Sequence, residues 1–76
     1  MNYEDFIKQY GQKKVKFAGY YKFSFRFEST DGLYLSVGGN SDAIYRLSVE
    51  AEKEYTVAEL EPRYASIGDK TIYQDP

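Results

Sequence analysis

The spacing of apolar residues along the chain changes once near its start, from a helical period to a strand period. Tyr3, Phe6, Ile7 and Tyr10 fall at i, i+3, i+4 and i+7, one face of a helix, while Glu4, Asp5, Lys8 and Gln9 fall elsewhere. Asn2 suits the N-cap, Glu4 and Asp5 the positive end of the dipole and Lys8 the last turn, and Gly11 is expected to end the helix in the left-handed conformation. The pattern predicts a helix over 2–10. So short a helix does not persist alone in water, and its aromatic stripe must dock on a sheet formed by the rest of the chain.

From Val15 the period is two. Val15, Phe17, Gly19, Tyr21, Phe23, Phe25 and Phe27 alternate with Lys14, Lys16, Ala18, Tyr20, Lys22, Ser24, Arg26 and Glu28, which reads as one very long strand with a bend at Gly19. The next strand carries Leu33, Leu35 and Val37 on its apolar face. Odd residues must therefore pair with odd ones, which selects a three-residue loop of Thr30, Asp31 and Gly32, pairing Phe27 with Leu35 and Phe25 with Val37. After a glycine-rich turn at 38–42, Ala43, Tyr45, Leu47, Val49 and Ala51 alternate as a third strand, followed by a tight connection at 52–54. Thr56 and Glu59 have the spacing of a capping box and predict a single helical turn ending before Pro62, with strand as the competing assignment. Residues 64–67 and 70–73 flank Gly68 and Asp69 as a terminal hairpin. The fold class expected is α+β: a short N-terminal amphipathic helix packed on a strongly curled antiparallel sheet of about four or five strands spanning 14–73. A small SH3-like barrel is the alternative.

With 76 residues the expectation is a single domain over 1–76. A chain of this size buries only about 60% of its unfolded surface, and nine Tyr and five Phe supply large side chains for so small a core. Cysteine is absent, which removes a disulfide framework. Met1 leads into an acidic, periodic segment in place of a basic stretch and an apolar run, and no segment reaches the length of a membrane span, so a cytoplasmic protein with no membrane partner is expected. The net charge of −2 is unevenly spread: 13–28 is basic and 42–61 acidic. Oppositely charged strands lying side by side would account for this.

Histidine is missing as well, which removes the commonest general base together with the thiol nucleophile and both soft metal ligands. Glu50, Glu52 and Glu54 alternate as one solvated edge, and Gly38, Gly39 and Asn40 lack the lysine, serine and helix of a phosphate loop. No catalytic residue, metal or cofactor is assigned, and the chain is read as non-enzymatic. What remains is the polar face of the first long strand, where Lys16, Tyr20, Lys22 and Arg26 would stand side by side with Tyr34 reaching in from the next strand. Tyr and Arg dominate protein-binding hot spots, so the face predicts a protein-binding module. Its size suits a phage or mobile-element accessory protein that inhibits a host protein by direct binding. The alternative uses the same residues as a single-stranded nucleic-acid surface, with basic groups tracking phosphates and aromatics stacking bases. Self-pairing into a homodimer through a sheet edge, and a small ligand in the curl of the sheet, are further arrangements the pattern allows.

Overall fold

A computed structural model describes residues 1–75. Helix α1 (Tyr3–Tyr10) leads into β1 (Lys14–Tyr21), β2 (Ser24–Glu28) and β3 (Leu33–Gly38), then helix α2 (Asp42–Leu47), β4 (Glu54–Thr56), α3 (Val57–Leu60), β5 (Tyr64–Ile67) and β6 (Lys70–Gln74). The strands form one antiparallel six-stranded sheet in the order β4-β1-β2-β3-β5-β6. The result is a small α+β domain whose sheet is open, with β4 and β6 as its edges and no barrel closure.

α1 forms as its sequence predicts. The Asn2 side chain accepts from the Asp5 N–H at 2.8 Å, and Phe6 is buried, stacked on Tyr73 with ring centroids 5.0 Å apart. Gly11 departs from expectation: its φ of −59° is right-handed. It is needed for space, since a Cβ there would run into the Ile7 carbonyl oxygen. The Gly11 carbonyl accepts from Ala58 N–H at 2.9 Å and the Lys13 carbonyl from Val57 N–H at 3.1 Å. Those two bonds satisfy N–H groups at the start of α3 that have no partner within the helix. The capping box completes that end: Glu59 accepts from Thr56 N–H at 2.7 Å and from its hydroxyl at 2.8 Å. These bonds, the backbone one foremost, hold the Glu59 carboxyl below its ordinary range.

The long strand over 15–28 is in fact a hairpin. Lys22 and Phe23 form a two-residue turn, both at positive φ (48° and 67°), and the chain returns on itself so that Tyr21 pairs with Ser24. No Asn-Gly or Asp-Gly marks the place, and both halves keep the same alternation, so a period of two does not reveal the reversal. The next turn follows parity: Phe27 pairs with Leu35 and Phe25 with Val37, Ser29 N–H donates to the Leu33 carbonyl at 2.9 Å, and Gly32 takes φ 98°. The terminal hairpin also forms where expected.

The third strand over 43–51 is corrected to a helix followed by an irregular link. Ser41 caps α2, its hydroxyl accepting from Ile44 N–H at 3.3 Å, and Ala43 and Ile44 are buried while Tyr45 is 72% exposed. Alternation would have buried Tyr45. The spacing of Ala43, Ile44 and Leu47 served a helix equally well, and the cap decides between them. Ser48 and Glu52 take positive φ in the link, and Glu54 already belongs to β4.

All three helices lie on one face of the sheet. Phe6, Ile44, Val57 and Leu60 share a core with Val15, Phe27, Leu33, Leu35, Val37, Tyr55, Ala65 and Tyr73, which occupy matching positions across the strands. Among the described residues, the opposite face carries no covering element.

Candidate functional site

The open face is set by a β-bulge in β1. Lys16 pairs with Glu28 and Phe17 with Phe27, but the next pairs are Gly19 with Arg26, Tyr20 with Phe25 and Tyr21 with Ser24, so Ala18 is the extra residue. Gly19 supports the irregularity at φ 130°. Side chains paired across strands share a face, so the bulge resets the alternation. Tyr20 turns to the core face, its ring 5.1 Å from Phe25, and Tyr21 turns to the open one.

There the Arg26 guanidinium lies 4.6 Å from the Tyr21 ring centre and 5.6 Å from that of Tyr34. Lys22 Nζ sits 5.3 Å from the Tyr21 ring. Tyr34 meets Tyr64 edge to face at 6.0 Å, and the Tyr64 hydroxyl lies 3.1 Å from that of Thr71. A row of Tyr21, Arg26, Tyr34 and Tyr64 thus crosses β1, β2, β3 and β5, with Ser24, Ser36 and Ser66 between. Each cation–π contact at such a site contributes about 0.5–1 kcal/mol, and two on one guanidinium hold its plane in place.

Of the residues singled out from the sequence, the structure brings Lys22, Arg26 and Tyr34 together. Tyr20 leaves for the other face because of the bulge. Lys16 stands away from the row, between Glu28 and Glu54 on its neighbours, its Nζ 3.8 Å from Glu52. Tyr21 and Tyr64 were missed. An intact alternation put Tyr21 inside, and its signal was Gly19, a glycine on the apolar register. Part of the charge asymmetry has its physical counterpart here, since Lys16 of β1 is paired with Glu54 of β4 and lies near Glu52.

Beside this row the β1–β2 turn projects. Phe23 at its tip is 81% exposed, Tyr20 57% and Tyr21 52%. The tip is fastened from behind: Gly39 N–H donates to the Phe23 carbonyl at 2.7 Å, an approach so close that a Cβ on Gly39 would lie 2.7 Å from that oxygen. The glycine pair read as a simple turn therefore also serves this contact, and contrary to expectation a serine and a helix do follow it, Ser41 and α2, though no lysine does. A depression of about 300 Å³ is lined by Phe23, Gly38, Gly39, Asn40, Ser41 and Arg63. A second, about 210 Å³, lies between Ser24, Ser36, Arg63, Tyr64, Gln74 and Asp75. Both are open and share Arg63, and the second gathers three hydroxyls, from Ser24, Ser36 and Tyr64. Hydroxyls, guanidinium groups and aromatic rings suit recognition by hydrogen bonds and stacking.

Among the described residues no three of His, Cys, Asp and Glu come together as a metal group, and no helix is long and apolar enough to cross a membrane. No protein-family model, curated protein or solved structure matches the chain.

Proposed function

We propose that this chain is a non-enzymatic protein-binding module that acts by direct contact through the open sheet face. The observation that carries this is Arg26, held between Tyr21 and Tyr34 on a face no other element covers. Tyr and Arg are the residues most enriched at binding hot spots, and a guanidinium already stacked in place loses little rotamer freedom when a partner arrives. The setting proposed is the cytoplasm, and the role that of a phage or mobile-element accessory protein that inhibits a host protein by occupying its surface. The second reading, a single-stranded nucleic-acid surface, draws on three tyrosines spread over neighbouring strands. Against it, Arg26 lies over ring faces that bases would need, and Glu28 and Glu54 flank Lys16 on the same side of the sheet.

Affinity capture from source-cell lysate, with and without nuclease, tests the proposal when wild type is run beside Arg26→Ala and Tyr34→Ala. The expected result is a stoichiometric protein that survives nuclease and is lost from both variants, each weakened by about 2 kcal/mol or more. Retention that vanishes with nuclease and falls steeply with salt would replace it with the nucleic-acid reading.

A further inference from the structure

The turn at the tip of β1 and β2 is made from the wrong residues for its geometry. A two-residue hairpin with positive φ at both central positions favours Asn-Gly, because Cβ crowds the backbone carbonyl there, a cost Gly avoids and Asn offsets by local hydrogen bonding. This chain has Lys22 at φ 48° and Phe23 at φ 67°. Phe23 gains nothing from burial in return, since it is 81% exposed. Gly39 holds its backbone from behind at 2.7 Å, so the ring is displayed from a fixed point. A residue that is strained by its backbone, unburied and fastened in position departs from what folding alone favours, and such departures mark functional positions.

The surroundings define what the ring meets. Lys22 adjoins it, Arg26 stacks on Tyr21 one pair further along, and Arg63 lines the same depression, with Asp75 3.8 Å from Arg63. An exposed aromatic next to Lys22 in sequence, with Arg63 lining the same depression, complements an apolar pocket with an acidic rim. We infer that Phe23 is the anchor of the interface, entering an apolar pocket on a folded partner protein whose rim is acidic. This rests on the protein-binding reading and adds where the contact is centred and what kind of surface receives it.

Photocrosslinking with p-benzoylphenylalanine placed at position 23 tests the inference, with the same group at position 45, on exposed α2, as the control. Competition by unlabelled wild type is compared with Phe23→Asn, with the double variant Lys22→Asn, Phe23→Gly, and with Arg26→Ala. The expected result is an adduct to a single protein from position 23 and not from 45, on a peptide holding apolar and acidic residues. Wild type should displace it, and both tip variants should do so roughly 30-fold less well. The double variant should also melt about 4 to 8 °C higher as the turn relaxes, so its loss of competition is not a loss of fold. Tip variants that compete as well as wild type would overturn the anchor, as would an adduct to a second copy of the chain or to lipid. If Arg26→Ala alone loses competition, the anchor falls and the protein-binding face stands. If neither the tip variants nor Arg26→Ala changes it, both fall together.

Discussion

Two turns bracket β2, and they are built on opposite principles. At the β2–β3 end, Gly32 takes φ 98° where a Cβ would meet nothing within 4 Å, so the glycine is there for its backbone alone. Ser29 closes the loop, its hydroxyl accepting from Leu33 N–H at 2.9 Å and donating to Asp31, which also pairs with Lys13. At the β1–β2 end, Lys22 and Phe23 also take positive φ but without such chemistry, held by strand pairing and by Gly39. The first turn is specified by its own residues. The second is imposed by its surroundings, and it displays an aromatic ring.

The largest expected contrast compares like with like on either side of β2. Phe27→Ala removes a fully buried ring and should cost about 3–5 kcal/mol in urea denaturation, whereas Phe23→Ala should stay within about 0.5 kcal/mol. Similar losses at both positions would erase the distinction between the two ends. Next comes the backbone. Gly32→Ala should cost about 1–2 kcal/mol through φ alone, while Asn-Gly at 22 and 23 should gain stability, a difference of sign that calorimetry reads directly.

A smaller effect tests whether another locally specified device behaves like the Gly32 turn. Thr56→Ala breaks the capping box and should cost about 1 kcal/mol, with the loss concentrated in hydrogen-exchange protection of α3. The smallest effects are in pH dependence. Hydrogen bonds from Lys13 and then Ser29 hold Asp31 below its ordinary value of 3.8, and those from Thr56 hold Glu59 below 4.5. A carboxyl depressed in the folded state stabilises it above the unfolded pKa, and this is lost as pH falls through the folded one. Asp31→Asn and Glu59→Gln should therefore each flatten the loss of stability below about pH 4.5, measured by denaturation from pH 6 to pH 2. An unchanged slope would remove the Lys13–Asp31 contact from the account of the first turn.

Where local chemistry acts, the chain was readable in advance. Asn2, the Thr30-Asp31-Gly32 loop with its register, the Thr56–Glu59 box and the Gly68–Asp69 hairpin all formed where their residues placed them. The readings that failed did so where a pattern had two solutions. The odd-numbered apolar pattern from Val15 to Phe27 reads as one strand, yet the turn at Lys22–Phe23 pairs odd residues with even ones, and only the extra residue at Ala18 brings Phe17 opposite Phe27. The spacing of Ala43, Ile44 and Leu47 serves helix and strand alike. The candidate face was half legible for the same reason. Arg26 and Tyr34 were placed, but one extra residue at Ala18 exchanged Tyr20 for Tyr21.

By itself, the sequence determined the α+β class, the N-terminal helix, the central register and the want of His and Cys chemistry, because those arise from contacts a few residues apart or from composition. Only the tertiary structure decided which tyrosines meet Arg26, that Tyr64 joins them from β5, and that Phe23 stands at a tip. Those depend on a bulge that the alternation does not announce, and on strand order and the grip of Gly39 on Phe23, which join segments further apart in the chain.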